Sequence, residues 1–370
     1  MNITMWIKIF AACLFIIIFN SCGNDENDGN DYNIPMDTSI ENRKFTGIPS
    51  IAITPNGTIW AVWYSGLNPA EDYTSFVVLS VSNDDGQSWE EVMIIDPDGF
   101  GSRRAFDPQI WLAPDNSLWL FWTETIEFDI ANGNLYAKKT YDIDNKHPQW
   151  SEVIKIANGL MVNKPLVHSD GSWLLPISTW FTDFSAKVFI TTNNGKTWGY
   201  QGASNIPSND RLYDEHSIIE KKDKTLWMLA RTKYGIGESF SYDKGRTWTD
   251  MRPSTINHIS ARFHIRRLSS GNLLLIKHGR INEITPSRSN LTAFISEDEG
   301  RSWSKGLLIE ENSVVSYPDG QQIENGHIYI IYDFNRTVDQ LVIMTNFSEN
   351  DIINQVDIKD RKKIISKSVH

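Results

Sequence analysis

One short pattern returns six times along this chain: a turn residue, then an apolar strand carrying aromatics. It runs Gly57 to Tyr64, Asn116 to Thr123, Gly171 to Thr179, Lys224 to Thr232, Gly271 to Gly279 and Gly326 to Asp333, with starts 47 to 59 residues apart. Self-similarity at such a period marks a unit that cannot bury its apolar surface alone and must stack on copies of itself. Six units fill the chain from about residue 40 to 360. Helical periodicity is nearly absent, and the longest candidate, around Asp351 to Ile365, is a short polar tail. With no interior linker visible, the pattern predicts one all-β domain over residues 39–370, a six-bladed β-propeller.

A second pattern keeps step with the first. Ser82-Asn-Asp84-Asp-Gly86-Gln-Ser-Trp89 is echoed from Thr191 to Trp198, Ser241 to Trp248 and Ser296 to Trp303, with a degenerate copy from Thr140 to Trp150. The motif reads as a tight hairpin in which Asp or Asn accepts turn amides, Gly takes a positive φ and Trp packs between sheets. It resembles the Asp box of bacterial neuraminidase repeats, an element of architecture and not of chemistry.

Ahead of the repeats, Ile9 to Phe19 is an almost unbroken apolar run ending in Asn20-Ser21-Cys22. It is too short for a permanent membrane helix and reads as a signal peptide over residues 1–21. Ser21-Cys22 resembles a bacterial lipobox, which implies lipidation of Cys22 and an exported lipoprotein anchored at the outer membrane, on its surface or periplasmic face. Residues 22–38 then form an acidic, solvated tether, similar to the surface-export signal of Bacteroidetes lipoproteins. The other cysteine, Cys13, lies inside the apolar run, so disulfides and thiolate metal sites are not expected in the mature domain. A net charge of −11 argues against a nucleic-acid partner. A monomer is expected.

From residue 43 to 345 the chain resembles sialidases. The clearest stretch is Asp214-Glu215-His216, followed by Ala230-Arg231-Thr232 and the box at Ser241. The resemblance implies that Glu215 serves a catalytic tyrosine as base and that Arg231 binds a substrate carboxylate. Arg288 and, 29 residues later, Tyr317 of Ser316-Tyr317-Pro318-Asp319 match a second carboxylate-binding arginine and the nucleophile. A phenol, with a usual pKa near 10, needs a carboxylate beside it to attack at neutral pH. An uncharged nucleophile also avoids repulsion from a substrate that carries its own carboxylate at the anomeric carbon.

The resemblance places the acid/base on the loop after the first repeat strand, where Glu71 and Asp72 both fit and residue type favours Asp72. His216 and Asp107 are further candidates for substrate contact. One departure stands out: sialidases carry Arg before Ile-Pro, and this chain has Gly47-Ile48-Pro49. Arg43, Arg103, Arg104 or Lys164 could supply the missing charge. The substrate expected is a glycan ending in sialic acid or a related acidic sugar, released by a retaining exo-acting glycoside hydrolase. A rhamnosidase or lyase on another acidic or deoxy-sugar polysaccharide, and a non-catalytic glycan binder, are the rivals. No phosphate loop, His-rich metal pair or nucleophile elbow is present, and no cofactor or metal is expected.

Overall fold

The computed structural model describes residues 36–99 and 101–367. The signal run, Cys22 and most of the tether lie outside the described residues. What is described folds into six four-stranded antiparallel sheets, each built from consecutive strands. They are the blades of a β-propeller. Blade 1 is Phe45–Ile53, Ile59–Gly66, Phe76–Ser82 and Glu90–Ile95; blade 2 is Arg103–Leu112, Leu118–Ile126, Asn134–Thr140 and Ile154–Asn158. Blade 3 is Leu166–Val167, Trp173–Ser178, Ala186–Thr191 and Gly199–Ser204; blade 4 is His216–Glu220, Leu226–Thr232, Gly235–Ser241 and Arg252–Pro253. Blade 5 is His264–Arg267, Leu273–His278, Leu291–Ser296 and Leu307–Glu310; blade 6 is Val315–Gln322, Ile328–Phe334, Leu341–Phe347 and Lys363–Ile364.

The sixfold sequence pattern is the second strand of every blade. Such a strand has a hydrogen-bonded neighbour on each edge and another blade against each face, so it reads as a continuous apolar run instead of alternating. Ile59–Gly66 is buried at every position, whereas the outermost strand Glu90–Ile95 is only half-buried. The turn residue that opens each repeat is the left-handed corner of the hairpin between first and second strands. Gly57, Asn116, Gly171, Lys224, Gly271 and Gly326 all have φ between 60° and 90° there.

The Asp boxes join third to fourth strands. In blade 1 the Asp84 carboxylate accepts from the Gln87 and Ser88 amides at 3.0 and 2.9 Å, and Ser82 Oγ accepts from the Gly86 amide at 2.9 Å. Each box then leans on the preceding blade. A Cβ on Gly195, whose φ is +73°, would lie 2.5 Å from the Trp119 ring, and Trp198 meets Trp119 edge-on at 5.9 Å. Even the degenerate copy obeys this rule, with Trp150 edge-on to Trp60 at 6.3 Å. Blade 6 has no box; the polar tail forms a short helix, Glu349–Asn354, capped by Ser348 and Asp351, and buries Ile352 against the neighbouring blade 5.

Because the sheets are antiparallel, the start of each first strand and the end of each second strand share one end of the propeller. The boxes sit at the other. Among the described residues the ring closes between blades 6 and 1 without an exchanged strand. Asp319 accepts from Ser50 Oγ at 2.7 Å and from the Ile51 amide at 3.0 Å, and Gln321 exchanges two bonds with the Ile53 backbone. Lys164, arriving ahead of blade 3, completes this axial knot with an ion pair to Asp319 at 2.6 Å.

Candidate active site

Three adjoining first strands share one irregularity. Pairing to the second strand slips between Gly47 and Ser50 in blade 1, Phe106 and Gln109 in blade 2, and Ser316 and Asp319 in blade 6. Within each slip the residue before a proline adopts a left-handed backbone: Ile48 at φ 55°, Asp107 at 48° and Tyr317 at 51°. Residues before proline favour extended conformations, and a left-handed non-glycine residue costs about 1–3 kcal/mol. Bulges re-aim side chains. Here all three line one cavity of about 180 Å³ at the end of the propeller remote from the Asp boxes.

On its floor the Tyr317 hydroxyl donates to Glu215 Oε1 over 2.9 Å. Glu215 stands immediately before the first strand of blade 4, and Arg231 on the second strand of that blade donates from Nη1 to both of its oxygens at 3.1 Å. The same nitrogen lies 3.5 Å from the Tyr317 hydroxyl. Burial, then the Glu215 charge, pushes the Tyr317 phenol up, against Arg231, Arg288 and Arg336. The phenol is therefore neutral at rest, and Glu215 is the group positioned to take its proton.

The cavity is also lined by Arg104, Arg231, Arg288 and Arg336, facing the carboxyl groups of Glu71, Asp107 and Glu215. The Arg288 guanidinium lies 5.6 Å from the Tyr317 ring centre and, among the described residues, takes part in no hydrogen bond or ion pair. Arg104 stacks on Phe106 at 4.0 Å and on Phe128 at 4.8 Å, donates Nε to Thr125, and keeps Nη1 buried and unpartnered. Arg336 pairs with Glu71 at 2.9 Å and lies over Tyr317 at 5.3 Å. Burial, with Glu71 and Glu215, raises the Asp107 carboxyl well above the usual carboxylate range, and Arg104 and Arg262 do not offset this. The result is an excess of guanidinium charge around the phenol, an environment for an anion.

Five of the residues singled out from sequence thus meet with Tyr317 in one cavity: Glu215, Arg231, Arg288, Arg104 and Asp107, with Glu71 at its rim. Others do not. Asp72, favoured as the acid/base, does not line the cavity: its carboxylate accepts from the Thr74 amide at 2.8 Å, from Thr74 Oγ1 at 2.6 Å and from Asn68. The loop needs that local turn, so of the two neighbouring carboxylates it is Glu71 that faces inward. Lys164 is spent on Asp319 at the axis, where burial, opposed by Asp319, brings its ammonium down to about 8. His216 is enclosed in the blades; its Nε2 meets the Lys187 carbonyl at 2.8 Å, and burial pushes the imidazole down to about 4, leaving it neutral. Arg43 forks onto Glu91 at 2.6 and 2.7 Å, and Arg103 pairs with Glu124 at 3.5 Å.

Sequence reasoning missed Arg336, Trp180 and Tyr213. Arg336 follows the second strand of blade 6, and its carbonyl accepts from the Thr46 amide at 2.9 Å, which sets it beside Gly47. A Cβ on Gly47 would fall 2.3 Å from the Arg336 Cδ. The only signal was the gap itself, a glycine where an arginine was expected. Trp180 and Tyr213 meet edge-on at 5.2 Å on the cavity wall, and Arg231 lies over Tyr213 at 4.8 Å. Among the described residues no group of three or more His, Cys, Asp and Glu side chains is arranged to hold a metal ion.

A six-bladed propeller with Asp boxes at one end and a tyrosine–glutamate pair ringed by arginines at the other has the architecture of the sialidase fold. The chain belongs to the BNR repeat-like domain family, which matches residues 57–330. Among solved structures, a Hadza microbial sialidase superposes with a TM-score of 0.67 at 18% identity, covering 84% of this chain and 67% of that one. The intramolecular trans-sialidase of Ruminococcus gnavus, solved with oseltamivir carboxylate, gives 0.65 at 14% identity, covering 85% and 96%. A protein of unknown function from Dyadobacter fermentans gives 0.61 at 16% identity, covering 82% and 94%. No curated protein sequence matches.

Proposed function

We propose that the chain is a retaining, exo-acting glycoside hydrolase that releases sialic acid or a related acidic sugar from the end of a glycan. The contact that carries this reading is the 2.9 Å hydrogen bond from Tyr317 to Glu215. A protein that only binds sugar has no use for a strained, buried phenol aimed at a carboxylate, whereas a nucleophile needs such a base. As the Tyr317 oxygen attacks the anomeric carbon its proton passes to Glu215, and the neighbouring arginines stabilise the charge that develops.

The excess of guanidinium groups supports an anionic substrate. Arg231 and Arg288 would grip its carboxylate, with Arg336 as the third cation in the space left by Gly47. A cavity of about 180 Å³ suits one sugar residue and not an extended chain, which supports exo action. From the apolar run and Ser21-Cys22 we further infer an exported, lipid-anchored enzyme acting on glycans outside the inner membrane.

The reading is tested by free sialic acid release from α2,3- and α2,6-sialyllactose by the chain lacking residues 1–22, with Tyr317→Phe alongside. Release that disappears in the variant supports it. No release from either, with none from other acidic glycans, removes it.

A further inference from the structure

We propose that a second cavity, on the propeller axis at the end remote from Tyr317, binds a divalent oxyanion of the sulfate or phosphate type. The cavity measures about 280 Å³ and is lined by Trp111 of blade 2, His264 and Arg266 of blade 5, Gln322 of blade 6, and Lys164 ahead of blade 3. Blades 2 and 5 face each other across a ring of six, so a cavity touching both lies on the axis. Leu112 and Gln322, which also line it, are the last residues of their first strands, so it sits at the end that carries the Asp boxes.

The charges around the axis do not balance. His264 and Arg266 share one face of the first strand of blade 5, and Arg262 stands two residues ahead of them. Arg262 donates Nε to Asn163 at 3.1 Å and Nη1 to the Pro318 carbonyl at 3.0 Å; its buried Nη2 makes no hydrogen bond and lies 3.9 Å from Asp319 Oδ1. Lys164 commits its ammonium to Asp319 and to the carbonyls of Ile51 and Gly320. Arg266 spends Nη1 on the Pro165 carbonyl at 2.9 Å and, among the described residues, pairs with no carboxylate. Three cations therefore share one carboxylate, that of Asp319. His264 adds no charge, since burial, opposed by Asp319, brings its imidazole down to about 3. Arg267 is matched by Glu299 at 2.7 Å. Asp107, the other carboxyl within range of Arg262, is raised well above the usual range, chiefly by burial. Two positive charges remain in excess, and unbalanced charge in the interior is costly. Arg266 registers this: burial, only partly opposed by Asp319, pushes its guanidinium down.

A doubly charged anion balances the cluster, where chloride or a single carboxylate balances half of it. The donors left over select an oxyanion. Arg266 keeps Nε and Nη2, the side of the guanidinium that forks onto two oxygens at once. Ser269, at the exposed mouth of the cavity, keeps a hydroxyl that makes no hydrogen bond among the described residues. The same chemistry serves a free sulfate or phosphate ion and the sulfate group of a sulfated sugar.

The test titrates sulfate and phosphate into the chain lacking residues 1–22 by calorimetry, with ionic strength held constant by chloride. Arg266→Gln, Ser269→Glu and Arg288→Ala, the last in the cavity around Tyr317, are titrated alongside. A saturable sulfate site is expected in wild type and in Arg288→Ala. Its affinity should fall roughly 10- to 150-fold in Arg266→Gln, the loss of a charged hydrogen-bonding group. Ser269→Glu should weaken it too, because it sets a carboxylate at the mouth while the amide bond from residue 269 to Gln322 stays in place. The thermal midpoint of wild type should rise with sulfate and not with chloride, and that of Arg266→Gln should not respond. Glucose 6-sulfate separates the sources: tighter binding than inorganic sulfate supports an anion carried on a sugar, and weaker binding supports a free ion. No sulfate binding by wild type over the chloride background, binding lost in Arg288→Ala and kept in Arg266→Gln, or binding unchanged in both axial variants overturns the proposal.

Discussion

Gly47 and Arg336 are matched across the seam between the first and last blades: the side chain of one fills the space that the other leaves empty. A Cβ at position 47 would lie 2.3 Å from Arg336 Cδ and 2.7 Å from Cγ. The arginine expected before Ile48-Pro49 is thus absent from blade 1, while a guanidinium occupies the same neighbourhood from blade 6.

On the proposed reading, removing that guanidinium weakens recognition of the substrate carboxylate. Arg336→Ala is expected to raise KM for sialyllactose by roughly 10- to 150-fold, since hydrogen bonds to charged groups contribute about 1.5–3 kcal/mol. Gly47→Ala, by displacing Arg336, should move KM in the same direction. Binding of the matching carboxamide sugar, measured by calorimetry, should change much less in both.

On the proposed reading the Tyr317–Glu215 pair acts on the chemical step. Tyr317→Phe removes the nucleophile, and Glu215→Gln is expected to lower kcat by on the order of 10²–10⁴-fold while leaving the affinity for a non-hydrolysable acidic sugar within a few fold. Steady-state kinetics alongside equilibrium binding checks this; a fall in affinity as large as that in kcat would assign Glu215 to binding instead.

Asp107 makes stability depend on pH. Its folded-state pKa is raised above its unfolded value, so the native state binds more protons over the interval between them. The contribution is fully present below about pH 4, near the ordinary carboxyl value, and declines as pH rises towards the folded-state pKa. Asp107→Asn should therefore be as stable as wild type or more stable at neutral pH, with a flatter profile of urea midpoint against pH.

Gly195, in the Asp box of blade 3, is fixed by two constraints at once. Gly195→Ala places a Cβ 2.5 Å from Trp119 at a φ of +73°. Left-handed strain and overpacking each contribute about 1–3 kcal/mol, so a clear drop in the thermal midpoint is expected with little change in KM.

The axial knot holds the ring closed. Asp319 is almost wholly buried; burial alone would raise its pKa, but Lys164, His264 and Arg262 outweigh it and hold the carboxyl well below the usual range. Asp319→Ala leaves the buried Lys164 amine without its ion-pair partner, and breaking such a pair costs about 3–5 kcal/mol. Urea unfolding monitored by tryptophan fluorescence would read the loss.

What the sequence determined by itself is the repeated part of the protein. The second strands announce themselves as unbroken apolar runs because both their faces are covered in every blade, and the Asp boxes are legible because their hydrogen bonds run between residues two to four apart. Glu215 and Arg231 were legible through the resemblance to sialidases carried by Asp214-Glu215-His216 and Ala230-Arg231-Thr232. Tertiary structure decided what depends on contacts between blades. Whether Glu71 or Asp72 faces inward turned on the bonds each makes in the folded loop: Asp72 accepts from Thr74, and Glu71 pairs with Arg336 from the last blade. Arg336 could not be found from position 47, because 289 residues separate them in the chain and only ring closure brings them together. Asp107 likewise gained its standing from burial, which pattern alone does not measure: the same Asp-Pro dipeptide on an exposed turn would be an ordinary ionised carboxylate.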